Sequence, residues 1–144
     1  MHEADALIGL WHILHWQNIY DDGRTIAPFG NNLRGFLRYA PDGQMMCIIA
    51  KPARALFISD QQFEASLAEK AQAYDDFFVY AGRYERQDTM VVHHVDYALF
   101  PNWQNSTQHR RIAHLSADHL SLEADKRNDA VAPHIVQITW QRAV

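Results

Sequence analysis

Polar and ring-bearing side chains crowd the stretch from Val91 to Arg111, VVHHVDYALFPNWQNSTQHRR, which otherwise reads as two strands around a turn at Pro101-Asn102. It holds three histidines, two arginines, a tyrosine and a tryptophan, where a half-buried strand ordinarily alternates apolar with polar residues. An imidazole driven neutral by burial can accept a proton on one nitrogen and donate from the other. A buried guanidinium stays charged, so it needs a carboxylate, several acceptors, or an anionic or carbonyl-bearing ligand. Tyr80, Tyr84 and Tyr97 add hydroxyls on apolar rings. That inventory suits an aromatic or partly oxygenated hydrophobic molecule, held by ring contacts and oriented by a few polar groups.

Composition excludes several other classes. The chain has 144 residues, enough for one domain with a real core, and its apolar and charged shares of 48% and 21% are those of a globular protein. A net charge of −4 argues against a nucleic-acid partner, which normally demands a basic face. No apolar run approaches the roughly 20 residues needed to span a bilayer, and the start MHEADALIGLWHIL lacks the pattern of a signal peptide. The single Cys47 sits in an apolar run and cannot form an internal disulfide, so a reduced, cytoplasmic compartment is expected. Nine histidines invite a metal reading. Their spacing opposes it: His93 and His94 point to opposite strand faces, as do His12 and His15, unless a bulge intervenes, and no His-x-His pair exists. No metal or other cofactor is expected, and no nucleophile elbow or Cys-His arrangement appears.

The elements that must position these groups are short. Strands are predicted at Leu7–Ile19, Leu33–Ala40, Gln44–Ala50, Phe77–Arg86, Thr89–Phe100, Ser106–Leu115, His119–Glu123 and His134–Arg142. One helix is predicted between them: Ser59-Asp60 offers an N-cap, and Phe63, Leu67, Ala71 and Tyr74 recur at helical spacing, as for a cover packed on the strands. Tight turns at Pro41-Asp42-Gly43, Arg86-Gln87-Asp88 and Ser116-Ala117-Asp118 alternate with longer connections at Tyr20–Asn32, Lys51–Asp76, Pro101–Asn105 and Ala124–Pro133. In an up-and-down arrangement every tight turn then falls at one end and every long loop at the other. About eight such strands close into an all-β antiparallel barrel whose mouth is the long-looped end, with room inside for one small ligand.

Gly9-Leu10-Trp11 resembles the Gly-x-Trp signature of lipocalins, and Arg142 stands where their arginine packs over that tryptophan. Further stretches extend the likeness: Pro28-Phe29-Gly30, Gly35-Phe36-Leu37-Arg38-Tyr39 with Pro41-Asp42-Gly43, Tyr80-Ala81-Gly82-Arg83-Tyr84, and His93-His94-Val95 followed by Leu99-Phe100-Pro101-Asn102-Trp103 and Gln108-His109-Arg110-Arg111. Together they resemble the small bacterial and fungal lipocalin-like domain family over nearly the whole chain. The resemblance implies the calycin-type eight-stranded barrel; it informs fold far better than function. Two departures stand out. Asn105 replaces a usual glycine, which a left-handed backbone at asparagine can accommodate, and Ala98 stands where a small hydroxyl residue is commoner.

Parity decides which side chains enter the barrel. Tyr80, Gly82 and Tyr84 share a strand face and are assigned inward, opposite Ala81, Arg83 and Glu85. A tight turn at Gln87-Asp88 would pair Gly82 with His93 and bring Val91, His93, Val95 and Tyr97 inward, leaving His94 and Asp96 to solvent. Continuing across Pro101–Asn105 puts His109 and Arg111 inside, whereas one bulge exchanges them for Gln108 and Arg110; the resemblance favours the latter pair. Trp103 belongs to a mouth loop, as anchor or lid. Leu14 and Trp16, assigned to the outer face of the first strand, would allow either a homodimer or a docking patch for the helix.

The expected site is therefore Tyr80, Tyr84, His93, Tyr97, Trp103, Gln108 and Arg110, binding a small hydrophobic, partly oxygenated or aromatic molecule. The alternative is a cofactor-free isomerase, cyclase or dehydratase in which His93 moves protons while Arg110 or a tyrosine such as Tyr84 stabilises an oxyanion.

Overall fold

The computed structural model describes residues 5–125 and 135–144. Strands β1 (Gly9–Ile19), β2 (Thr25–Ile26), β3 (Arg34–Tyr39), β4 (Gln44–Ala50), β5 (Phe77–Gln87), β6 (Met90–Ala98), β7 (Thr107–Leu115), β8 (His119–Asp125) and β9 (Ile135–Arg142) form one antiparallel sheet. β1 pairs with both β3 and β9, so the eight long strands close on themselves; β2 is a two-residue ribbon on the far end of β1. Closure leaves the long strands no open edge.

The two ends differ as the turns dictate. β3–β4, β5–β6 and β7–β8 are joined by tight turns, with Gly43 (φ 91°) and Asp88 (φ 58°) in the left-handed region. The Asp42 carboxylate accepts from the Gln44 amide at 3.0 Å, and the Ser116 hydroxyl accepts from the His119 amide at 3.1 Å. At this end the Arg142 guanidinium lies 4.1 Å from the Trp11 ring centroid and donates to the carbonyls of Ala6, Ile8 and Ala117 at 2.6–2.8 Å. Trp11 donates to the Leu7 carbonyl at 2.9 Å, so the floor is closed by aromatic burial, cation–π contact and hydrogen bonds to backbone carbonyls. The long connections lie at the opposite end; of Ala124–Pro133, residues 126–133 lie outside the described residues. Among the described residues no helix is long and apolar enough to cross a membrane.

The helix differs from expectation. α1 spans Leu67–Asp75, and its N-cap is Ser66, whose hydroxyl accepts from the Glu69 amide at 3.1 Å while the Glu69 carboxylate accepts from the Ser66 amide at 3.1 Å. That capping box satisfies two otherwise free donors at once, whereas Ser59 only turns the loop by accepting from Gln61 at 3.0 Å. Phe63 precedes the helix and is 80% exposed. α1 buries no side chain and is no cover: it is tied to its own loop by Arg54 donating to the Ala73 carbonyl at 3.0 Å and Glu69 accepting from the Ile58 amide at 3.0 Å.

Bulges reset the side-chain parity. On β1 the pairing with β9 shifts between Ile13 and His15, so Trp11 and Ile13 face inward before the bulge and Trp16 and Asn18 after it, lining the interior. Trp16 is thus not an outer-face residue, and the apolar patch proposed from Leu14 and Trp16 for a homodimer does not form. The same bulge leaves both His12 and His15 exposed, yet no group of three metal-type donors gathers among the described residues.

Candidate functional site

β5 and β6 carry the centre of the site. Tyr84 pairs with His93 and Gly82 with Val95, two residues from the expected pairing, which preserves the inward set Tyr80, His93 and Val95. Between Gly82 and Ala81 the register shifts, because Asp96 is an extra residue on β6. Beyond it Tyr97 faces outward, 73% exposed, while Ala98 pairs with Tyr80. Tyr97 is therefore not a pocket residue. Gly82 makes the bulge possible: a Cβ there would press on the His94 carbonyl oxygen and lie 2.9 Å from the Asp96 nitrogen.

A second bulge fixes β7. Val95 receives a hydrogen bond from Asn105 and donates one to Ser106, both at 2.9 Å, so two residues of one strand oppose one of the other, with Asn105 at φ 60° in the left-handed conformation. His93 then pairs with Gln108 and Val91 with Arg110, turning Gln108 and Arg110 to the inner face. Arg111 points out, bonded to Glu123 at 2.7 Å and Asp125 at 2.9 Å.

His93 is 1% exposed and sits between two hydroxyls: Tyr39 Oη is 2.6 Å from Nε2 and Tyr80 Oη is 2.7 Å from Nδ1. Burial, then the charge of Arg110, then His94 push its pKa down to about 3, so the ring is neutral, with one nitrogen donating and one accepting. Burial also raises the Tyr39 and Tyr80 hydroxyls well above the ordinary phenol range, opposed in part by Arg110. Burial holds Cys47 as a neutral thiol with pKa about 12.

Above this triad lies a cavity of about 250 Å³, small by the standard of ligand pockets. Trp16, Phe78, Tyr80, Trp103 and Trp140 supply its rings, with Leu37, Cys47, Leu122, Ala124, Val136 and Ile138 as apolar wall and Asn18, His93 and Arg110 as polar members. Trp103, in the 3₁₀ turn Pro101–Trp103, meets Tyr80 and Phe78 edge-on at 5.4 and 5.7 Å, and Arg110 lies 5.6 Å from its ring centroid. Gln108 does not line the cavity; it donates to the Ser106 hydroxyl at 2.9 Å, which donates to the Trp103 carbonyl at 2.6 Å, holding that loop. Tyr84 is also outside it: its hydroxyl donates to the Ala40 carbonyl at 2.7 Å near the closed end, and its ring packs on Tyr39 at 4.6 Å. Three buried polar atoms on lining residues, Trp16 Nε1, Asn18 Oδ1 and Trp140 Nε1, have no hydrogen-bond partner among the described residues.

The structure thus gathers Tyr80, His93, Trp103 and Arg110, and sets Tyr84, Tyr97 and Gln108 apart. Sequence reasoning missed Tyr39, Trp16, Asn18, Phe78 and Trp140. Phe78 shares Tyr80's parity, and Trp140, Ile138 and Val136 share that of Arg142, so these were within reach of the strand period; Trp16 and Asn18 lay behind a bulge.

Residues 8–143 match the family model described as a lipocalin-like domain. No curated protein matches the chain. Among solved structures, a lipocalin-like protein from Bacteroides uniformis ATCC 8492 superposes with a TM-score of 0.52 at 14% identity, covering 94% of this chain and 98% of that one. An uncharacterized protein from Bacteroides eggerthii DSM 20697 gives 0.49 at 12% identity, with the same coverage of 94% and 98%. The first likeness speaks to the fold alone.

Proposed function

This chain belongs to the lipocalin-like domain family, and on that premise we propose that its barrel binds a small hydrophobic molecule, aromatic or partly oxygenated, in the cavity above His93. The observation that carries this reading is the wall itself: an apolar, ring-lined space of about 250 Å³ with buried polar atoms that have no partner among the described residues. A buried donor or acceptor without a partner costs on the order of 1–3 kcal/mol, and a ligand bearing complementary groups removes that cost. The volume corresponds to about eight waters at ~30 Å³ each, so the occupant is compact. A lone, buried, neutral thiol fits a reducing, cytoplasmic setting.

The surroundings of His93 favour holding over catalysis. A general base works best with a pKa near the operating pH, and His93, at about 3 with both nitrogens engaged by tyrosines, is a weak one. Its geometry supports a role as the rigid polar base of the pocket.

Calorimetric titration of the purified protein with 2-naphthylmethanol tests the reading. Binding should be measurable in the wild type, lost in Ala124→Phe, which places a ring in the cavity wall, and unchanged in Tyr97→Ala on the outer face. Equal binding by all three proteins places the probe elsewhere and removes the support.

A further inference from the structure

We propose that the cavity selects an anionic ligand, a compact aromatic or aliphatic monocarboxylate whose head is held by Arg110. This rests on the binding reading above and adds the ligand's charge. Two adjacent arginines are treated oppositely by the fold. Arg111, outside, is neutralised by Glu123 and Asp125. Arg110, inside, has no carboxylate within ion-pair distance among the described residues; it donates to the neighbouring His109 carbonyl at 3.0 Å and lies beside the Trp103 ring. Among the described residues no acidic side chain lines the cavity, and the His93 imidazole that shares it with Arg110 is kept neutral. Among the described residues the cavity therefore carries one positive charge with no carboxylate beside it, its guanidinium in contact with the Tyr80 hydroxyl.

Two of the three unpartnered polar atoms on lining residues are donors that suit the same head group, while the third, Asn18 Oδ1, accepts and calls for a donor elsewhere on the ligand. Trp16 Nε1 and Trp140 Nε1 are donors on lining residues without a partner among the described residues, and a donor can be satisfied only by an acceptor. A guanidinium presents a planar fork that matches the two oxygens of a carboxylate. A neutral alcohol offers fewer acceptors and no charge, and a cation would meet Arg110 with repulsion. The rings of Trp16, Phe78 and Trp103 leave an apolar body as the rest of the ligand.

Two pairs of probes matched in size, 2-naphthoate with 2-naphthylmethanol and octanoate with octan-1-ol, separate charge from shape in calorimetric titrations at pH 7.5. In the wild type at least one carboxylate should bind about tenfold or more tighter than its alcohol, the scale of a charge-assisted hydrogen-bond pair. Arg110→Gln should abolish that preference, bringing the affinities of acid and alcohol within about threefold of each other. Alcohols that bind as well as the acids overturn the anion proposal and leave the pocket reading standing. No binding by any of the four at millimolar concentration overturns both. Should Arg110→Gln fail to fold, the wild-type comparison of acid with alcohol decides alone.

Discussion

Replacing His93 by glutamine should change how stability responds to acid. His93 is buried with a folded pKa of about 3, against about 6.5 for an imidazole in an unfolded chain. The unfolded chain therefore takes up the proton first. Above about pH 6.5 neither state is protonated there and stability is untouched; as pH falls from 6.5 toward 3, folding must exclude a proton and stability drops by about 1.4 kcal/mol per unit. Between pH 7.5 and 5.0 the loss from this one residue is about 2 kcal/mol, and it changes little if the folded value is anywhere below 4. Glutamine does not titrate and retains a donor and an acceptor for Tyr39 and Tyr80. Urea unfolding followed by tryptophan fluorescence at the two pH values should show the wild type losing about 2 kcal/mol more than His93→Gln, the other histidines contributing equally to both proteins. Equal losses, or a His93 ring proton whose NMR shift titrates near pH 6.5, would refute the buried neutral imidazole and with it the triad geometry.

Two further outcomes follow from the backbone and the floor. Gly82→Ala should cost on the order of 3 kcal/mol or prevent folding, since the new Cβ meets backbone at His94 and Asp96 where the β6 bulge crosses; a urea midpoint unchanged from wild type would show that the bulge is not clamped there. Arg142→Lys should destabilise by on the order of 2 kcal/mol despite conserving charge, because an ammonium cannot both face the Trp11 ring and reach the three carbonyls used now, as thermal or urea unfolding will read.

The barrel was legible because its signals are redundant. Turn chemistry at Pro41-Asp42-Gly43 and Ser116-Ala117-Asp118 separates strands whose ends fall within two residues of expectation, and alternating turn lengths set the topology without any long-range information. The helix was less legible. Ser59 and Ser66 are both cap residues, but only Ser66 has Glu69 three positions on to close the box, and Phe63 follows helical spacing with nothing to pack against, its ring being exposed. Spacing shows what a helix would bury and does not show whether a surface exists to receive it.

Inside the barrel, legibility ended at each bulge, and the physical reason is the period of two. Between bulges, parity placed Tyr80, His93 and Val95 on the inner face, where they are. One extra residue exchanges the faces of everything beyond it, which sent Tyr97 to solvent and brought Trp16 and Asn18 into the cavity. Two of these bulges leave a mark in the sequence: Gly82, a lone glycine inside a strand, and Asn105, a residue that tolerates positive φ. The third does not, because Ile13-Leu14 offers an apolar side chain to either face and burial alone cannot choose. The cation, the Trp16 indole and the asparagine of the pocket thus depend on backbone irregularities. A regular barrel of the same sequence would turn Arg110 and Trp16 outward and bring Arg111, now paired outside with Glu123 and Asp125, to the inner face in their place.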